Sequence, residues 1–171
     1  MLNKRIEKIA SAILDECGIN HLPIPIERVV NNRGLEIKIY DLGETSGVLV
    51  IENGKGTIGV NPNESKVRKR FTIAHELGHY ELHRDGTNGV FIDKQFKVEF
   101  RNHNSSTGEF KKEQEANAFA AAVLMPEKFI LKEIKNLEFD LSEDFSLKEL
   151  AQVFNVSVAA ISYRLANLNL L

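Results

Sequence analysis

Apolar residues near the start of the chain recur at helical spacing. Leu2, Ile6, Ile9, Ala10, Ile13 and Leu14 share one face of a helix predicted over 2–17. Lys4, Arg5, Glu7, Lys8, Asp15 and Glu16 interrupt them, so the stretch lacks the unbroken apolar centre of a signal peptide. Gly18 sits where a helix C-terminal cap belongs. Pro25 opens a second short helix through Val30, closed by Gly34. From Leu35 to Tyr40 the period drops to two, with Leu35, Ile37 and Ile39 on one side and Glu36 and Lys38 on the other. Gly47 to Ile51 and Thr57 to Val60 read as two more strands. Glu52-Asn53-Gly54-Lys55-Gly56 between them is a hairpin turn, because Asn-Gly tolerates positive φ. Pro62 ends the sheet signal. Asn63 or Ser65 caps a helix running to about His83. Gly86 and Gly89 break it. Residues 90–100 predict one or two strands, and Arg101 to Gly108 a polar loop. A long helix follows from about Lys111 to Leu124, stopping before Pro126. Ser146 to Leu171 reads as two helices joined near Asn155-Val156-Ser157.

This order of helices, a small sheet and more helices predicts one α+β domain over 1–171. Residues from about 140 to 171 would form a helix-turn-helix-like subdomain of the same unit. The 171 residues suffice for one core. With 43% apolar and 27% charged residues the balance is globular, which excludes a disordered or fibrous class. The apolar runs fall far short of the ~20 residues of a membrane span. Cys17 is the single cysteine, so an internal disulfide is excluded and a cytoplasmic location is expected. A net charge of −2 and a pI near 6.2 weigh against life on nucleic acid. In the last helices Leu150, Ala151, Phe154 and Val156 should pack on Ala160, Ile161 and Leu165. Between Ser157 and Asn169, Arg164, Asn167 and Asn169 alone have base-reading chemistry, so a structural or partner-binding pair is expected rather than a DNA reader.

The chemistry concentrates in Phe71-Thr72-Ile73-Ala74-His75-Glu76-Leu77-Gly78-His79-Tyr80. It contains His-Glu-x-x-His, which sets two imidazoles one turn apart on one helical face. So placed, His75 and His79 can share one Zn²⁺ at about 2.0–2.1 Å. Glu76 reaches a water rather than the metal and serves as general base. Ala74 and Gly78 leave room for a neighbour to approach. A catalytic zinc takes a third protein ligand. The metzincin pattern fails, since Leu82 and Asp85 stand where its Gly and third His belong. The helix from Lys111 offers Glu113 and Glu115. Its buried stripe is Ala116, Phe119, Ala120, Val123 and Leu124. Glu113 lies at the edge of that stripe with Asn117, whereas Glu115 lies further round, toward solvent. Glu113 is therefore the expected ligand, with Asn117 bonding the second nitrogen of a ligand histidine. His83, one turn past His79, lines the site or bonds a ligand. Arg101 and His103 are further candidates for stabilising an oxyanion. Tyr80 and Cys17 read as packing residues.

Taken together, Arg70 through Tyr80 with His83, and Glu113-x-x-Ala116-Asn117-x-Phe119-Ala120 through Leu124-Met125-Pro126, resemble the ImmA/IrrE family of metallopeptidases. Ser46-Gly47-Val48-Leu49, Ile58-Gly59-Val60-Asn61, and Phe154-Asn155-Val156-Ser157 with Arg164-Leu165 extend the likeness over roughly residues 20–171. The resemblance implies a thermolysin-like zincin core, a small mixed or antiparallel sheet on the two site helices, with a zinc on two histidines and a glutamate. It implies cleavage of a helix-turn-helix repressor of a mobile element, prophage or stress regulon, often encoded nearby. The strand at Gly47 to Ile51 is expected to be the sheet edge that holds such a substrate. Rival readings are a non-catalytic repressor-binding antirepressor and a DNA-binding regulator. Mn²⁺ or Fe²⁺ would suit the same ligands.

Overall fold

Two glycines set the chain's first turns. The computed structural model describes residues 2–86, 88–94, 107–136 and 144–171. Helix α1 (Leu2–Glu16) ends where Gly18 takes φ +63°. There Ile19 N–H donates to Leu14 O at 2.9 Å and Gly18 N–H to Asp15 O at 3.0 Å. That pair of bonds satisfies carbonyls the helix would otherwise leave orphaned. Gly34, at φ +78°, closes α2 (Ile26–Asn32) through the equivalent bonds. Strands β1 (Glu36–Ile39), β2 (Thr45–Glu52) and β3 (Lys55–Val60) follow. Asn53 and Gly54, at φ 51° and 78°, make the β2–β3 turn, with Glu52 facing Lys55. Positive φ at both central residues is the turn that matches strand twist.

Helix α3 (Lys66–His83) starts at Ser65, whose side chain accepts from Arg68 N–H. Strand β4 (Gly89–Lys94) comes next. The other half of the stretch predicted as strands over 90–100 lies outside the described residues. Helix α4 (Thr107–Leu124) begins about four residues before the predicted Lys111 start. Helix α5 (Glu127–Ile134) was not anticipated: Pro126 stops α4 and at once serves as the N-cap of α5. Helices α6 (Asp144–Phe154) and α7 (Val158–Asn167) complete the order.

The sheet order is β1-β3-β2-β4, with β1 parallel to β3 and both pairs of β2 antiparallel. One expectation is corrected here. The strand at Gly47 to Ile51 is not an edge, because β2 pairs with β3 on one side and β4 on the other. Among the described residues β4 is the outer strand on that side. The sequence of β2 could not reveal this, since a central and an edge strand share one alternation. Leu35, just before β1, is buried, whereas Ile39 at the strand's end is 59% exposed.

Leu49, Ile51, Ile58 and Val60 on the inner sheet face join Ile73, Ala74 and Leu77 of α3 and Phe119, Ala120, Val123 and Leu124 of α4 in one buried cluster. Phe154, Ile161 and Leu165 carry the last two helices into the same cluster. Two buried guanidiniums tie these layers. Arg70 donates to Asn155 O and Ile24 O, at 3.2 and 2.9 Å. Arg164 donates to Met125 O and pairs with Glu7. Gly78 lets α4 approach α3. A Cβ there would lie 3.1 Å from Ala116 Cα and 3.2 Å from Ala116 O. Among the described residues no helix is long and apolar enough to cross a membrane.

Gly78→Ala should therefore destabilise the fold by about 1–3 kcal/mol, because backbone rather than a flexible side chain must give way. Gly108→Ala, with nothing within 4 Å of its added Cβ, should be neutral or raise stability by roughly 0.5–1 kcal/mol. Urea unfolding of both variants checks the pair. Equal stabilities would show that α3 and α4 are not in tight contact.

Candidate metal centre

Both histidines of the motif sit on the buried side of α3, each 2% exposed. Their Nε2 atoms point at one another, 3.0 Å apart. Glu113 enters from α4, its carboxylate oxygens 3.3 Å from His75 Nε2 and 3.2 Å from His79 Nε2. The ligand atoms of His75, His79 and Glu113 all lie within 4.8 Å of one another. Two donors about 2.0–2.1 Å from one zinc at tetrahedral angles stand roughly 3.3 Å apart, so the separations fit a shared ion. Two buried imidazoles and a carboxylate are also a donor set that divalent transition metals favour. Burial pushes the Glu113 carboxyl up, but hydrogen bonds and charge from His75 and His79 outweigh it and hold the pKa at about 2.

The opposite ring nitrogens are tethered. His75 Nδ1 is 3.0 Å from Asn117 Oδ1, as the Glu-x-x-x-Asn spacing on α4 suggested. His79 Nδ1 is 3.1 Å from His83 Nδ1. His83 is thereby brought into the site as a partner of a donor, not as one of the three donors. Its Nε2 lies 2.8 Å from Glu115 Oε2. That overturns the solvent-facing position expected for Glu115. Its side chain is 17% exposed, against 35% for Glu113. The residue turned away from His75 and His79 is aimed instead at the end of α3, where His83 stands. Burial pushes the His83 pKa down, opposed by the hydrogen bond to Glu115.

Glu76 is fully buried beside His75. Its position depends on Gly47, which sequence reasoning missed. A Cβ at Gly47 would fall 2.2 Å from Thr72 Cγ2 and 3.3 Å from Glu76 Oε1. Absence of a side chain lets β2 lie directly on this turn of α3. A glycine inside an otherwise apolar strand was the available signal. Phe91 was also missed. From β4 its ring stacks on His79, centroids 5.0 Å apart, so the outer strand passes over the centre. Tyr80 packs as expected, 8% exposed, with Arg84 over its ring. Cys17 is buried. Arg101 and His103 lie outside the described residues. Beside the centre, a cavity of about 660 Å³ is walled by Arg68, Phe71, Asn117, Ala118, Met125 and Tyr163 among others. Asn117 lines this cavity and also contacts His75, but His75, His79, Glu113 and Glu76 are not among the cavity's lining residues.

Residues 30–166 match the peptidase family described as the IrrE N-terminal-like domain. Metallopeptidase ImmA of Bacillus subtilis is 30% identical over 135 residues, 77% of this chain and 71% of that protein. "Uncharacterized immunity region protein 2" of Bacillus phage phi105 is 33% identical over 88 residues, 50% of this chain and 48% of its own length. A solved Mycobacterium tuberculosis transcriptional regulator superposes with a TM-score of 0.64 at 18% identity. It covers 95% of this chain, which spans 46% of that structure, and the likeness concerns the fold alone.

Glu113→Ala should strip zinc from the folded chain, because two histidines alone make a weak open site. Asn117→Ala should weaken zinc binding roughly 10–100-fold without unfolding the protein. Chelator competition with circular dichroism as control reads both. Unchanged zinc affinity in either variant would remove that residue from the centre.

Proposed function

The chain belongs to the ImmA/IrrE family of metallopeptidases, and from that membership we propose that it is a zinc-dependent endopeptidase of a helix-turn-helix transcriptional repressor. The observation that carries this reading is the convergence of His75, His79 and Glu113 beside the buried carboxylate of Glu76. A purely structural zinc usually has four protein ligands and no use for such a carboxylate. The packing of a sheet over α3, with α4 supplying the third donor, supports a thermolysin-like zincin core within one unit that includes α6 and α7.

In this mechanism His75, His79 and Glu113 hold the ion. When bound, a divalent ion supplies Lewis acidity, polarising the scissile carbonyl and lowering the pKa of water toward about 7. Glu76 accepts a proton from the attacking water on a carboxylate oxygen and delivers it to the leaving amine nitrogen. Its burial keeps bulk water from competing for that proton. Strand β4 receives the substrate as an added strand, with Val90 and Ile92 exposed at 62% and 50%. Zinc is the expected ion, and Mn²⁺ or Fe²⁺ would accept the same donors.

The repressor substrate is supported by the phage relative, whose name places it in an immunity region. Such repressors are intracellular, which fits a cytoplasmic site of action. Direct DNA binding is disfavoured. Arg164, the basic residue of α7, is 4% exposed and committed to Glu7 and Met125 O. That leaves α7 without an exposed cation.

Glu76→Gln should retain zinc and lose cleavage of a neighbouring-gene repressor by about 10²–10⁴-fold. Chelation should abolish wild-type cleavage, and zinc should restore it. A fully active Glu76→Gln enzyme would refute this mechanism. A zinc-loaded wild-type chain that binds the repressor without cutting it would make the protein a non-catalytic antirepressor.

A further inference from the structure

Both ring nitrogens of His79 are engaged, and this constrains where the protons lie. A neutral imidazole has one N–H and one lone pair. His79 Nε2 faces His75 Nε2 and Glu113. To bind a cation it must present its lone pair, so its proton sits on Nδ1. That N–H points at His83 Nδ1, 3.1 Å away, which must then accept. The proton of His83 is consequently on Nε2, where Glu115 Oε2 accepts it at 2.8 Å. The series Glu115, His83, His79 thus runs in one direction, each donor meeting an acceptor.

We infer that Glu115 and His83 are positioning residues of the metal centre: Glu115 fixes the tautomer of His83, and His83 holds His79 with Nε2 aimed at the ion. This rests on the reading of His75, His79 and Glu113 as metal donors. Asn117 does the same for His75, so α4 supplies the third donor and supports both histidines. Other contacts of these residues do not account for the arrangement. Lys111 lies 3.9 Å from Glu115, but its side chain is 65% exposed, and water screens such an i,i+4 pair to little effect. Phe91 stacks on His79 and restrains its ring plane, yet stacking cannot select which nitrogen carries the proton. A carboxylate as covered as Glu115 loses hydration, and His83 is the partner that offsets the loss.

The test measures zinc dissociation constants by chelator competition on the full chain, with thermal unfolding of the zinc-free protein alongside. His83→Phe and Glu115→Leu keep bulk and remove the hydrogen bonds. Each should weaken zinc binding roughly 10–100-fold. His83→Gln should recover most of the loss, because its amide oxygen accepts from His79 and its NH₂ donates to Glu115. The double variant His83→Phe/Glu115→Leu should be no weaker than His83→Phe alone, as expected of residues acting in series. Glu115→Gln, the variant least disturbing to folding, should lose less than Glu115→Leu, since a neutral amide oxygen accepts more weakly than a carboxylate. Zinc affinities within about twofold of wild type in His83→Phe and Glu115→Leu would overturn the assignment. So would additive losses in the double variant, or a His83→Gln protein as weak as His83→Phe. These would leave only a clamp between α3 and α4, visible as lower zinc-free stability. A wild-type chain that binds no zinc would instead refute the metal reading itself, and this inference with it.

Discussion

The close contact of α3 with α4 at Gly78 is the constraint on which the centre depends. Neither helix holds a complete donor set. His75 and His79 are spaced by the turn of one helix, and Glu113 has to reach them from the other. Gly78 lies between the two histidines, and the missing side chain there admits the Ala116 backbone. That contact fixes the register. One turn of α4 then offers Glu113 to the two Nε2 atoms, Asn117 to His75 and Glu115 to His83. A longer residue at 78 would press on both the Ala116 backbone and the core ring of Phe119, pushing apart the helices that carry the carboxylate and the imidazoles.

A second close approach comes from the sheet. Gly47 brings β2 down onto Thr72 and Glu76, and Phe91 lays β4 over His79. Helix α3 is thus covered by α4 on one side and by the sheet on the other, which explains why Thr72 through Tyr80 are all buried. Burial has an energetic consequence for the charged residues within. Each must have a partner or a role that compensates lost hydration. Glu113 has the two histidines, and Glu115 has His83. The guanidiniums of Arg70 and Arg164 are spent on main-chain carbonyls and Glu7, binding the terminal helices to this layer.

Local patterns carried much of this architecture into view. Asn53-Gly54, Gly18, Gly34 and Ser65 act within a few residues of themselves, and each does in the structure what its chemistry requires. His75 and His79 are legible for the same reason, since their spacing is a property of one helix. Glu113 and Asn117 emerge from the face of α4 that also carries Ala116 and Ala120. What depends on a distant segment was misread. Periodicity placed Glu115 away from Ala116 and Ala120, toward solvent. It could not show that the end of α3 lies there, bringing His83. Likewise β2 looks like any half-buried strand, and only the fold reveals that β4 lies outside it. Helix α5 escaped notice because Pro126 was read as a stop rather than also as a start.

The claim most exposed to test is that one divalent ion sits between α3 and α4 on three side chains. Diffraction from zinc-loaded crystals at the zinc absorption edge would locate the ion directly by its anomalous signal. The expected result is a single strong peak about 2.0–2.2 Å from His75 Nε2, His79 Nε2 and a Glu113 oxygen, with a further position open to solvent. A peak coordinated by Glu115 in place of Glu113, or one lying away from these histidines, would contradict it.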